Sequence, residues 1–241
     1  MALGTLPTSV CCATLRVVDE RQEIEEALRL LAERCSRLVR LCYWAGTSAI
    51  AVEELDHRRS FDLDFHTQWA LEDVRPILAE IQAAFRGKVE VVQAPDQFGS
   101  GFRALLSLPS GAKITIEVLS NFEDVAPDEI VDSRTAPSMK RVTLRRYLAD
   151  KIQCVMERAE ARYLIDIGAV LRQRPELEPF ARAVLRRQDA LLIAERLLSW
   201  SDADIEKDLT AYTDVQPQAG SEVRDLLLRW LKDESKREGH P

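Results

Sequence analysis

From Phe61 onward, the segment His57-Arg58-Arg59-Ser60-Phe61-Asp62-Leu63-Asp64-Phe65 alternates apolar with acidic residues. A strand turns successive side chains to opposite faces, so Phe61, Leu63 and Phe65 share one face and Asp62 and Asp64 the other. The alternation predicts a strand from Phe61 to Thr67. Two carboxylates on one face, two residues apart, are costly to keep ionised unless a cation sits between them. Hard oxygen ligands of this kind suit magnesium, which keeps several waters and takes further ligands from substrate phosphates. Taken alone, the pair also fits a strand edge facing water.

Upstream, Cys42-Tyr43-Trp44-Ala45 reads as a short strand, Gly46-Thr47-Ser48 as a small-residue turn, and Ala49 to about Leu55 as a helix. Free backbone N–H groups and the helix dipole at such a start can hold a phosphate. Downstream, strands are predicted at Lys88–Gln93, Phe102–Leu108 and Lys113–Leu119, the last two joined through Pro109-Ser110-Gly111. In the third, Glu117 shares the polar face with Thr115, either as a third carboxylate of a two-metal site or as a solvated strand residue. Arg58 and Arg59 either neutralise phosphate or pair with Glu53, Glu54 and Asp56. Trp44 and Phe65 read as core.

Helical periodicity covers 19–41, with Asp19 as its cap, and Leu71–Phe85, closed by Gly87. The acidic, proline-containing stretch 120–137 reads as a loop. After Thr143 the strand pattern stops, and helices follow at Leu144–Arg158, Ala161–Arg172, Pro179–Arg187, Ala190–Trp200, Ala203–Tyr212 and Ser221–Lys236. The division is an α/β front over 19–143 and an all-helical region over 144–241, with 234–241 expected to fray.

The chain has 241 residues and a net charge of −7 from 33 Lys/Arg and 40 Asp/Glu, so its summed field repels polyanions. From Arg134 to Arg187, however, 13 Lys/Arg face 6 Asp/Glu, a local balance of +7, and a phosphate-rich partner meets that stretch first. Arg141, Arg145, Arg146, Arg158, Arg182, Arg186 and Arg187 are candidates to track RNA. Five cysteines at unpatterned spacings read as small buried hydrophobes in a reducing cytoplasm. The segment Met1–Leu15 lacks the basic start of a signal peptide, and no run approaches a membrane span. The expected location is the cytoplasm, away from membranes.

Trp44-Ala45-Gly46-Thr47-Ser48-Ala49-Ile50-Ala51 followed by His57-Arg58-Arg59-Ser60-Phe61-Asp62-Leu63-Asp64-Phe65 resembles the AbiEii/AbiGii family of nucleotidyltransferase toxins, within the DNA polymerase beta-like superfamily. That family carries a Gly-Gly-Thr turn and then His-Arg-x-Ser-x-Asp-Leu-Asp-Phe, and every fixed position of the second motif is present. Ala149-Asp150-Lys151 matches a later Ala-Asp-Lys, and Arg162-Tyr163-Leu164-Ile165-Asp166 matches Arg-Asp-x-x-Asp except at Tyr163. The first glycine of the turn is replaced by Ala45.

The resemblance, spanning about Leu38 to Leu171, implies a minimal nucleotidyltransferase fold: a mixed sheet flanked by helices, with a helical C-terminal part. It implies transfer of a nucleoside monophosphate from an NTP to an acceptor, the tRNA 3′ end in the MenT-type branch, and a cognate antitoxin protein as partner. On that basis Asp62, Asp64 and Glu117 would hold Mg2+. Gly46, Thr47, Ser48, Arg58, Arg59 and Lys151 would bind the nucleotide, and Asp166 would position Lys151 or act as base. Tyr163 and Ala45 leave open a degenerate nucleotide-binding module, and the acidic net charge leaves open a small hydroxylated acceptor such as a polycationic aminoglycoside.

Overall fold

The alternating segments pair into one mixed sheet, described here from a computed structural model that covers residues 20–157, 160–212 and 214–238, the side chains of 234–238 excepted. Asp19, Arg158, Cys11, Cys12 and the extreme C-terminal residues fall outside this set. Helix α1 (Glu20–Arg34) buries Ile24, Ala27, Leu28 and Leu31. The predicted helix over 19–41 breaks at Cys35, and α2 (Ser36–Leu41) starts anew. The cause lies 43 residues away. The Glu80 carboxylate accepts from the backbone N–H of Arg37 at 2.9 Å and of Leu38 at 3.1 Å, capping α2 from outside.

Strand β1 (Cys42–Ala45) is followed by α3 (Gly46–Ile50), a π-helical turn over Ala51–Leu55, and β2 (Asp62–Ala70). The predicted helix from Leu71 begins later, as α4 (Arg75–Ala84), because β2 runs on to Ala70 and Leu71 turns with φ 53°. Strands β3 (Val89–Gln93), β4 (Gly101–Ser107) and β5 (Lys113–Asn121) stand where alternation predicts them. The Leu108–Ala112 turn joins β4 to β5 antiparallel, with Gly111 at φ 94°. Within the stretch read as loop lies β6 (Ile130–Asp132), followed by β7 (Lys140–Val142). Three residues are too few to show a period.

The sheet order is β3-β4-β5-β2-β1-β7-β6, with β2 parallel to β5, antiparallel to β1, and β1 parallel to β7. One face packs Leu63, Phe65, Phe102, Ala104, Ile116, Val118 and Trp44 into the core, as the alternation requires. The opposite face carries Asp62, Asp64 and Glu117.

The helical part comprises α5 (Leu144–Glu157), α6 (Arg162–Gln173), α7 (Glu178–Arg187), α8 (Ala190–Leu198), α9 (Asp202–Leu209) and α10 (Pro217–Glu238). The hydrophobic core is continuous from Ile24 to Trp230, so both parts share it. Cys35 and Cys42 lie within it as free thiols, and burial pushes the Cys35 thiol up to about 12. Among the described residues, no helix is long and apolar enough to cross a membrane.

Candidate active site

Pleating and register gather the acidic side chains. Asp62 and Asp64 share a face of β2, and Asp64 stands beside Ala45 on β1 and Glu117 on β5. Gly46 follows Ala45 directly, with φ 69°, and its backbone packs on the carboxylate, where an added Cβ would lie 2.0 Å from Asp64 Oδ2. A side chain at position 46 is therefore excluded by both conformation and space. Helix α3 then runs from the turn with no side-chain cap. Ala45 needs no left-handed backbone, its φ being −110°.

Asp64 is half-buried while Asp62 is exposed. Burial, then the like charges of Glu117 and Asp62, push the Asp64 carboxyl up to about 6, against the easing effect of Lys151 and Arg103. Concentrated negative charge on hard oxygens is the environment a magnesium ion relieves, so the donor set fits that ion through Asp62 and Asp64. Glu117, across from Asp64 on β5, also meets a cation of the chain. Arg103, opposite it on β4, donates to its carboxylate at 2.8 Å. Among the described residues, no three His, Cys, Asp or Glu side chains form a ready metal cage.

Behind the turn lies a buried polar cluster centred on Asp166, which is fully enclosed. Arg58 donates to it through Nε at 2.6 Å and Nη2 at 3.0 Å, His57 Nε2 lies at 3.0 Å and Lys151 Nζ at 3.5 Å. Burial opposes its charge, but Arg58 and Lys151, with hydrogen bonds from His57 and Arg58, hold the carboxyl well below the usual carboxylate range. Thr47 belongs to the same cluster, its hydroxyl accepting from Arg58 at 2.8 Å and from Tyr147 at 3.2 Å. Ser48 accepts from Trp44 Nε1 at 3.0 Å. Both hydroxyls are thus committed internally, and what the turn offers a phosphate is backbone.

Arg58 pairs with the distant Asp166 and not with Glu53, Glu54 or Asp56, the acids beside it in sequence. Glu53 is buried instead against the segment before β7, accepting from Ser133, from the backbone N–H of Arg134 and Thr135, and from Arg141 at 2.7 Å. Asp56 meets Arg21. Arg59 donates its N–H to Asp214 at 2.8 Å and its guanidinium to Glu20, lining a cleft of about 650 Å³ that shares no lining residue with Asp62, Asp64 or Lys151.

Lys151 is 9% exposed, on the apolar stripe of α5 with Tyr147, Leu148 and Ile152. A lysine inside such a stripe is a sequence signal for a functional or paired cation, and Asp166 inside Leu164-Ile165-Asp166-Ile167 is its acidic counterpart. The sequence assigns no role to Arg103 or Tyr147 and offers Glu53 only as a partner for Arg58 or Arg59. The alternation of β4 and β5 holds the signal for Arg103; the partners Glu53 takes lie eighty or more residues away, where no spacing signals them.

Other basic residues diverge. Arg141 is buried between Glu53 and Glu54 rather than presented to a ligand. Arg145 stacks on Phe180, and Arg146 pairs with Glu129 and Asp150. With Arg187 they line a second cleft, of about 470 Å³, along α5.

The family described as nucleotidyl transferase AbiEii toxin, type IV toxin–antitoxin system, matches residues 46–229, from the glycine of the turn into α10. The chain belongs to the AbiEii nucleotidyltransferase toxin family. Two solved structures are similar to it in fold. The nucleotidyltransferase toxin MenT4 from Mycobacterium tuberculosis is 18% identical, with 89% of this chain and 84% of that one covered and a TM-score of 0.59. JHP933 from Helicobacter pylori is 15% identical, with 91% and 97% covered and a TM-score of 0.55. A comparison with curated proteins finds no matching sequence. The AbiEii member described here is accordingly a nucleotidyltransferase with the α+β fold its sequence implies.

Proposed function

We propose that this AbiEii nucleotidyltransferase moves a nucleoside monophosphate from an NTP to the 3′ end of an RNA, with tRNA as the acceptor class, and that it does so with Mg2+. The observation that carries the reading is the contact between the Gly46 turn and Asp64, which sets the turn backbone against a carboxylate of the acidic pair. When bound to Asp62 and Asp64, Mg2+ supplies charge neutralisation on the triphosphate and the departing pyrophosphate. The turn backbone at Gly46–Ser48 receives the terminal phosphates, and Lys151 adds a point charge from α5. The acceptor hydroxyl oxygen bonds the α-phosphorus and gives its proton to solvent water, as the α–β phosphoanhydride bond breaks and pyrophosphate leaves. Asp166, fully enclosed and held ionised by Arg58, is a poor base; its task is to orient Arg58, Thr47 and Lys151.

The acceptor is assigned to the cleft along α5, which Arg145, Arg146 and Arg187 line together with Glu123, Asp128, Glu129 and Asp150. Contacts of that kind weaken with salt. A cognate antitoxin accompanies such a toxin by family. A small polycationic acceptor is the competing reading, favoured by the net charge of −7. The test incubates the protein with each NTP, labelled at the α- or the γ-phosphate, with magnesium and either total tRNA or an aminoglycoside panel. Expected is α-label, and no γ-label, in tRNA. Label in the small molecule alone overturns the RNA reading, and label in neither overturns both.

A further inference from the structure

Tyr163 stands where the family motif has an acid, at the first turn of α6, and it is 3% exposed. Its ring is 5.3 Å from Lys151 Nζ, and the Tyr147 ring is 5.0 Å from the same nitrogen. The Lys151 ammonium therefore sits between two aromatic faces. The carboxylate beside it does not hold it by itself. Both oxygens of Asp166 are taken by Arg58, with His57 on one and Thr47 on the other, and Lys151 lies 3.5 Å away, beyond a normal hydrogen bond. The other cation on the Tyr163 ring, Arg162 at 5.4 Å, is anchored separately by Glu160 and by the Tyr212 hydroxyl.

A ring face attracts a cation through its quadrupole without cancelling its charge or using up its N–H donors. An acid at position 163 would pair with the ammonium and partly neutralise it. We propose that Tyr163, together with Tyr147, is a positioning residue that clamps Lys151 by ring faces and leaves its charge and donors open to the nucleotide phosphates. The proposal rests on the reading of Lys151 as a triphosphate ligand. It also turns the departure at position 163 from a lesion into a substitute device.

The test has two independent arms. The chain holds seven lysines, so protein labelled with 13C at the lysine ε-carbons gives few signals, with Lys151 assigned by Lys151→Arg. Two facing rings shift the Lys151 ε-protons upfield in the unsubstituted protein, a reading that requires no variant to fold. Tyr163→Phe keeps the shift and Tyr163→Leu reduces it. An unshifted Lys151, or one indifferent to Tyr163→Leu, overturns the clamp.

The second arm measures NTP affinity by calorimetry in magnesium. Tyr163→Leu weakens binding about tenfold, the scale of a desolvated cation–ring contact, while Tyr163→Phe restores it. Weak binding by Lys151→Ala with normal binding by Tyr163→Leu overturns the inference alone. Normal binding by Lys151→Ala overturns the nucleotide role of Lys151 beneath it.

Discussion

Gly46 and Asp64 touch: a methyl group at position 46 would lie 2.0 Å from Asp64 Oδ2, on a backbone with φ 69°. This contact couples the phosphate-facing turn to the acidic strand. Gly46→Ala is expected to lower stability by about 1–2 kcal/mol, from the left-handed conformation of a residue with a Cβ, and to displace the carboxylate. Chemical denaturation and NMP transfer, measured together, check it. Unchanged transfer would mean that the turn and Asp64 do not act as a unit.

Asp166 and Arg58 form a buried pair of a different kind from the surface pairs. Asp166→Asn leaves the Arg58 guanidinium enclosed without its counter-charge and should cost about 3 kcal/mol or more. Glu20→Gln, which removes the exposed partner of Arg59, should cost under about 1 kcal/mol. Urea midpoints of the two variants give the comparison, and equal midpoints would deny the central role of Asp166.

The pH dependence has two opposed parts. The Asp64 carboxyl is raised to about 6, so its contribution to stability is present below its ordinary value near 3.8 and is lost as pH rises through 6. Asp64→Asn should therefore raise the metal-free melting temperature at pH 7.5, raise it less at pH 5, and change it little below the ordinary carboxylate value near 3.8. Asp166 is shifted the other way, and its contribution is present above the ordinary carboxylate range and lost on strong acidification. Melting curves across pH 3–8 for both variants separate them.

Much of this arrangement is legible in the sequence because it follows local periods. Alternation at Phe61–Phe65 gives the strand, the buried Leu63 and Phe65 and the paired acids, although Phe61 itself precedes β2 and is exposed, and helical spacing gives α5 with Lys151. The break at Cys35 was hidden because its cause, the Glu80 cap, comes from a distant helix. Strands β6 and β7 are three residues each, and their pairing to each other and to β1 is set by the sheet rather than by their own pattern. For the same reason the sequence leaves Arg58 between a phosphate and the acids next to it, Glu53, Glu54 and Asp56. The fold chose Asp166, 108 residues on, which no spacing foretells.

Glu53 tests how the far edge of the sheet is held. Its carboxylate ties the π-helical turn after α3 to Ser133, Thr135 and Arg141 and is 3% exposed. Glu53→Ala leaves Arg141 buried beside Glu54 alone and should cost about 3 kcal/mol, with faster amide exchange at Arg134 and Thr135 than elsewhere in the sheet. Uniform exchange would show that the turn is held by packing instead.

The most direct measurement compares α-labelled NMP transfer by the unsubstituted enzyme and by Asp64→Asn, in magnesium, with the fold of both verified by circular dichroism. The acidic pair as the chemical centre predicts transfer reduced roughly a hundredfold or more in a variant that remains folded. Equal transfer by the two proteins would contradict it and move the chemistry away from β2.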